Sequence, residues 1–239
     1  MHYLFQGLGL LTTKGLRRFV LIPLTINLLL FSLAFFYLLQ YVEGWVDMIM
    51  TFVPDFLAFL SYVIWPLLIL TTVLGLAFSF TMVANFIAAP FNALLSEKLE
   101  QHLTGTILPD QGISSFIKDI PRMLQREWTK FAYCVPRAIF FLVLFFILPV
   151  LGQVLWFLFT SWMMAIQYCD YPFDNHKVPF SKMRQSLRAE WSSSFSFGIS
   201  VSLASMVPFL NLLVMPAAVC GSTVLWLERH KIKTLPQSV

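Results

Sequence analysis

Residues 138–169 read AIFFLVLFFILPVLGQVLWFLFTSWMMAIQYC, a tract without a charged side chain, broken at Pro149-Val150-Leu151-Gly152. A bilayer core takes about 20 apolar residues per crossing helix, so two full crossings need about 40 residues and a turn. Neither half of this tract is long enough. Arg137 precedes it and Lys177 follows it. Basic residues mark the inner face of a membrane protein, so both ends lie on that face and the chain must enter and return. A Pro-broken hairpin that penetrates only part of the bilayer satisfies both length and parity. Thin but complete spans are the alternative.

The charge map extends this outward. All 16 Lys and Arg fall within 14–18, 98–137, 177–188 and 229–233. The polar stretch 40–55 carries Glu43, Asp47 and Asp55 without a basic residue, which places it outside. Ser192–Leu227 is a second tract between inner-face loops, with Pro208-Phe209-Leu210-Asn211 at its expected bend and Pro216 just after. Irregular backbone at membrane depth is tolerated only where protein or a water-filled cavity covers it. The paired Pro-broken tracts are therefore the sequence pointer to a transport path.

Upstream, Phe19–Leu39 fits one span, with Arg17 and Arg18 at its inner end and Pro23 and Asn27 making its start irregular. It is expected to be an uncleaved first span rather than a signal peptide. Phe56–Ser96 exceeds one bilayer thickness, and parity makes it one long tilted helix. Pro66 is expected to bend it, and Ala88–Asn92 to end it near the inner face. The expected fold class is an all-α integral membrane protein forming a single membrane domain. It has two long transmembrane helices (19–39 and 56–96), a cytoplasmic helical segment (97–137) and two partly inserted hairpins (138–169 and 192–227). Within the cytoplasmic segment, Phe116, Ile117, Ile120, Leu124, Trp128 and Phe131 recur at helical spacing, with Lys118, Arg122, Arg126 and Lys130 in the gaps. That amphipathic helix is expected to dock one face on an anionic membrane surface or on the inner ends of other helices.

Composition narrows the function. Hydrophobic residues make up 58% of the 239 residues, charged residues 12%, and mean hydropathy is +0.76. These values lie well outside a soluble globular domain. The net charge of +4 is the sum of inner-loop charges and does not indicate nucleic-acid binding. Cys134, Cys169 and Cys220 have neither disulfide nor metal spacing and are expected to be small core residues. There is no phosphate loop, His-Glu-x-x-His, paired Cys motif or nucleophile elbow, so an enzyme or a self-contained ATP-driven pump is not expected. No cofactor or metal is expected. No Asp, Glu, Lys or Arg lies inside a membrane tract, which favours a passive, channel-like route over a proton relay.

Lys14-Gly15-Leu16-Arg17-Arg18-Phe19-Val20 opens the first span. Free amides and the positive dipole end of a helix start, with two guanidinium groups beside them, suit a tetrahedral dianion. Arg17 and Arg18 as topology anchors among lipid headgroups stay open beside that. Asp170-Tyr171-Pro172-Phe173-Asp174-Asn175-His176 is expected to make a turn, cap a helix starting near Ser181 and pair with inner-loop arginines. Ser96, Glu97 and Glu100 are expected to tie a helix end to the basic helix. Gly75-x-x-x-Ser79 and Ala217-x-x-x-Gly221 would allow close packing of helices, between subunits among other places.

Several of these segments, taken in order, resemble the CysZ family of bacterial sulfate permeases. They are Gly15-Leu16-Arg17-Arg18-Phe19-Val20 with Pro23-Leu24 and Asn27, Ala89-Pro90-Phe91-Asn92 with Ser96-Glu97, Asp170-Tyr171-Pro172 with Asp174-Asn175-His176, and Pro208-Phe209-Leu210-Asn211 with Met215-Pro216. The likeness runs along nearly the whole chain apart from 232–239. It implies sulfate uptake across the bacterial inner membrane for cysteine synthesis without ATP hydrolysis, by a homo-oligomer among membrane lipids. It places sulfate binding on Gly15, Leu16, Arg17 and Arg18, and Glu97 among candidates for structure or gating. Asn27, Pro208 and Asn211 are the further pore or gating candidates. Two competing expectations are a non-transporting membrane scaffold and a permease for a related oxyanion such as sulfite, thiosulfate or molybdate.

Overall fold

The computed structural model describes residues 2–13, 17–51, 61–105 and 113–234, and every regular element among them is a helix. In chain order these are α1 (His2–Leu10), α2 (Arg17–Met50), α3 (Ser61–Thr104), α4 (Ile113–Ile147), α5 (Leu151–Asn175) and α6 (Phe180–Ala189). They are followed by α7 (Trp191–Ser205), α8 (Pro208–Leu225), a π-helical turn (Trp226–His230) and α9 (Lys231–Thr234). The chain divides into two bodies, Ile22–Ala88 and a larger one of Met1–Leu21 with Ala89–Val239.

The smaller body holds most of α2 and the opening of α3. Leu28, Leu29, Leu33 and Phe36 on α2, and Leu67, Leu70 and Leu74 on α3, are all more than half exposed. So much bare apolar surface is tolerated where the surroundings are lipid rather than water. Two helix ends differ from those expected. The polar stretch from Gln40 is not a loop, because α2 runs on to Met50. Gln40–Met50 holds no proline, and its side chains are compatible with a helix, so nothing stops the backbone hydrogen bonding. Likewise α3 passes through Pro90 and stops only at Gly105, whose φ is +66° and whose N–H donates to the Gln101 carbonyl at 3.0 Å. A left-handed glycine is a true helix stop, whereas a buried proline costs one hydrogen bond that the packing of Ala89 and Ala93 offsets.

In the larger body α5 is the central element, with α4 on one side and α7 and α8 on others. The surface helix expected over 114–131 is not a separate element: α4 is continuous from Ile113 to Ile147 and carries it straight into the first hairpin. Among the described residues, Ile117–Ile147 is the one stretch long and apolar enough to cross a membrane, and its most apolar part is almost wholly unburied. The chain then reverses at Pro149-Val150-Leu151. Val150 has φ 64° and ψ −57°, and Leu151 N–H donates to the Pro149 carbonyl at 2.7 Å. That is a γ-turn of the strained, positive-φ kind, here on a β-branched residue. Gly152 lets the two arms touch, since a Cβ there would stand 2.2 Å from the Leu144 carbonyl oxygen.

The second hairpin turns at Met206-Val207, upstream of the expected Pro208–Asn211 bend. Pro208 instead opens α8, where its fixed φ suits the helix and its missing N–H loses nothing. Pro216 is inside α8.

The short α1 packs along α8, and Ala217-x-x-x-Gly221 serves this contact within the chain. A Cβ on Gly7 would lie 2.0 Å from the Ala217 carbonyl oxygen and 2.7 Å from the Gly221 nitrogen; one on Gly221 would lie 2.5 Å from the Tyr3 carbonyl oxygen. Backbone meets backbone, so no side chain has room to shift. Gly7→Val is expected to destabilise the detergent-solubilised protein by about 1–3 kcal/mol. It should also expose α1 to protease, whereas Gly9→Val, at a position open to solvent, should leave thermal unfolding and cleavage unchanged.

Candidate functional site

Arg122, Arg126 and Lys130 follow one another at four-residue intervals, so they line one face of α4. Asp170 and Asp174 bear the same relation on α5. The two helices meet along these rows. Arg126 grips Asp170 by a fork, Nη2 to Oδ1 at 2.6 Å and Nε to Oδ2 at 3.1 Å, and Lys130 Nζ lies 3.5 Å from Asp170 Oδ2. Arg122 Nη1 pairs with Asp174 Oδ1 at 2.5 Å. Asp170 is 1% exposed and Lys130 3%, so these charges are dry. Arg126, Glu127 and Lys130 of α4 thus face inward, and Ile117 and Trp128 face outward, more than half exposed.

The network continues without a gap. Lys130 Nζ also donates to Glu127 Oε1 at 2.6 Å and sits 4.6 Å from the centre of the Tyr171 ring. Gln167 Nε2 donates to Glu127 Oε2 and to the Tyr171 hydroxyl, both at 3.3 Å, and Asn92 Nδ2 donates to the same hydroxyl at 3.3 Å. The cavity at its centre is about 10 Å³, room for about one water. Beside it opens a recess of about 250 Å³ whose lining includes Arg122, Gln125, Arg126, Asp174 and Lys177 as well as the apolar Val178 and Pro179. Burial raises the Asp174 carboxyl above its usual range against the pull of Arg122 and Arg126.

A second cluster joins the ends of α3, α5 and α9. Glu100 is 4% exposed; its Oε1 lies 2.9 Å from His176 Nε2 and accepts from Lys231 Nζ at 2.8 Å. Burial would raise its carboxyl, but the hydrogen bonds from His176 and Lys231 outweigh that and hold it below the ordinary value. Ser96 and Thr223 hydroxyls are 2.8 Å apart, and Asn175 Nδ2 donates to the Ala93 carbonyl at 2.9 Å. Nearby, Phe173 packs on Trp226 with ring centres 4.4 Å apart and on His230 at 5.4 Å. Burial lowers the pKa of His230 to about 4, with Ser186 Oγ 2.9 Å from its Nδ1.

Of the residues singled out in sequence, Gly15 and Leu16 lie outside the described residues. Arg17 begins α2, and its Nε donates to the Thr12 carbonyl at 3.1 Å. Arg18, Asn27 and Asn211 lie on helical backbone, with side chains outside the described set. Glu97 Oε1 accepts from Gln101 Nε2 at 3.1 Å. Pro208 starts a helix rather than forming a bend. Asp170 and Asp174 pair with arginines as expected, but as part of α5, with Pro172 inside the helix. They cap nothing: α6 starts after Pro179 without a side-chain cap. Glu100 ties to α5 and α9 rather than to the basic helix. Glu127 was not singled out, although its place three residues before Lys130 was the available signal.

Removing one partner of a buried ion pair strands the other charge, at a cost of roughly 3–5 kcal/mol, whereas an exposed pair is worth about 0–1 kcal/mol. Asp170→Asn should therefore lower thermal stability sharply, and Asp119→Asn, whose pairs with Lys177 and Arg122 are more exposed, far less. Glu100 of the second cluster and the nearby His230 also set an acid limit. A depressed folded pKa gives stability that is full above the unfolded pKa and lost as pH falls. His230 thus withdraws stability between pH 6.5 and about 4, roughly 3 kcal/mol in full, and Glu100 does so at lower pH. Melting temperature in detergent should fall across that window. His230→Gln should flatten the fall between pH 6.5 and 4.

Two comparisons with known proteins place this geometry. Residues 3–216 match the family described as Sulfate transporter CysZ/Etoposide-induced protein 2.4. Among relatives, the chain is 53% identical over 243 residues to a protein of Pectobacterium atrosepticum named Sulfate transporter CysZ, covering 99% of this chain and 88% of the relative. A match of that length and identity shows that the chain belongs to the Sulfate transporter CysZ/Etoposide-induced protein 2.4 family.

Proposed function

We propose that this protein is a multi-pass permease of the bacterial inner membrane that carries sulfate inward for assimilation into cysteine, without ATP hydrolysis and without enzymatic chemistry. The observation that carries this reading is the 53% identity, along almost the whole chain, to a relative whose name is sulfate transporter. Three physical features support it. The apolar tracts contain no ionisable residue, the two C-terminal tracts are folded into hairpins, and α2 begins at an arginine.

In this proposal α2 and α3 cross the bilayer, and the hairpins α4–α5 and α7–α8 enter and leave by the inner leaflet. Those hairpins, with the rest of the chain, make up one membrane domain. Sulfate is taken at the start of α2, by the amides of Gly15 and Leu16 and the guanidinium groups of Arg17 and Arg18. The first N–H groups of a helix have no partner within it, and they point where the dipole favours an anion. Asn27 and Asn211 supply uncharged polar groups along the route, and Pro208 and Glu97 stand where irregular backbone and charge would gate it. Copies of the chain assemble within the lipid to complete the path.

The test is labelled sulfate flux into liposomes containing the purified protein. Charge-assisted hydrogen bonds are worth about 1.5–3 kcal/mol each, so losing both arginines should weaken sulfate binding by roughly a hundredfold or more. Arg17→Ala with Arg18→Ala should accordingly reduce flux at limiting sulfate while leaving the melting temperature nearly unchanged. Wild-type flux equal to that of empty liposomes would reject the permease. Sulfite, thiosulfate or molybdate outcompeting sulfate would reassign its substrate.

A further inference from the structure

A groove of about 380 Å³ runs between the first hairpin and α7. Its volume falls in the range of sites that hold small organic molecules. Phe141, Leu155, Leu158, Phe159, Trp162 and Phe195 line it, and its lining is almost wholly apolar. The walls are braced by aromatic contacts: Phe141 stacks on Phe159 with ring centres 4.7 Å apart, and Trp191 on Phe195 at 4.9 Å. Such walls offer a small oxyanion nothing to bond to. They suit a hydrocarbon chain.

Two further lining residues are of the opposite kind, Arg137 and Arg188. Arg137 is held in place, with its guanidinium carbon 3.7 Å from the centre of the Tyr133 ring and Nη1 donating to the Tyr133 carbonyl at 2.7 Å. That leaves most of its five donors for another acceptor. Arg184 lies 4.6 Å from the centre of the same Tyr133 ring, with a buried Nε that has no hydrogen-bond partner among the described residues. Arg188 is on the same helix as Arg184, one turn later. Among the described residues none of these three arginines has a carboxylate within ion-pair distance, while Arg122 and Arg126 do. An apolar groove with two of these unpaired guanidinium groups among its lining residues complements an amphiphile with an anionic head.

We propose that this groove is a binding site for an acidic glycerophospholipid. One acyl chain lies along Leu155, Leu158 and Phe159 between the hairpin and α7, and the phosphate is taken by Arg137 and Arg188. Arginine suits this role because its planar donors match phosphate oxygens in pairs. Both arginines flank apolar tracts in the inner-face basic stretches, so the head would sit at the inner leaflet, where the chain's charge bias places them. The site is separate from the start of α2 and does not depend on the sulfate reading.

The test is native mass spectrometry of the full chain in mild detergent, with phosphatidylglycerol and phosphatidylcholine of identical chains as probes. Wild-type protein should retain phosphatidylglycerol at least about fivefold better than phosphatidylcholine. Arg137→Gln with Arg188→Gln should abolish that preference and leave phosphatidylcholine retention as before. Arg137→Lys with Arg188→Lys should keep part of it. Leu158→Trp, which fills the groove without touching either arginine, should reduce retention of both lipids. Equal retention of the two lipids by wild type, or undiminished phosphatidylglycerol retention by the Gln double variant or by Leu158→Trp, would overturn the site. So would full displacement of phosphatidylglycerol by inorganic phosphate, which would make the groove irrelevant to binding.

Discussion

The pairing of Arg126 and Lys130 on α4 with Asp170 on α5 decides how the larger body is put together. Charges taken out of water must meet an opposite charge with hydrogen bonds in place, and turning α4 about its axis would carry Arg126 and Lys130 away from Asp170. The pairs therefore fix which face of α4 meets α5. They also orient α4: Arg126 and Lys130 are inside, and Ile117 and Trp128 are outside.

Two kinds of packing then share the body. Where tracts are apolar, helices close on backbone, as at Gly7 against Ala217 and Gly221, and at Gly152 against Leu144. Lipid tails compete with leucine as equals, so helix association there depends on close contact rather than on expulsion of water. Towards the charged ends, polar side chains take over. Glu100, His176 and Lys231 bring together the ends of α3, α5 and α9, and Tyr171 collects hydrogen bonds from α3 and from within α5. The π-helical turn at Trp226–His230 places Trp226 and His230 against Phe173.

Much of this was legible in the residues and some was not, for definite reasons. The reversal at Pro149-Val150 was readable because proline and the length of the apolar tract both demanded a break. The reversal before Pro208 was misplaced because a proline suits a helix start as well as a turn. The continuation of α2 to Met50 was missed because Glu43 and Asp47 mark polarity, and polarity does not stop a helix. Asp170 and Asp174 were recognised as arginine partners from their chemistry, but their helical backbone was hidden by Pro172. Of the proposed anion cradle, only Arg17 is described at the level of contacts, where it donates to Thr12. The small pair Ala217 and Gly221 was noticed, but nothing in it names the nine residues of α1 as its partner.

By itself the sequence determined the class of solvent, the all-helical fold class and the presence of tract breaks. These follow from local quantities: hydropathy over a window, the sign of charge in a loop, and the special backbones of proline and glycine. Only the tertiary structure decided which face of α4 turns inward, which glycine meets which carbonyl, and which arginines find a carboxylate. Those depend on residues dozens of positions apart arriving within about 3 Å of one another. An amphipathic pattern states that two faces differ. It takes the neighbouring helix, with its own row of charges, to say which face is the inside.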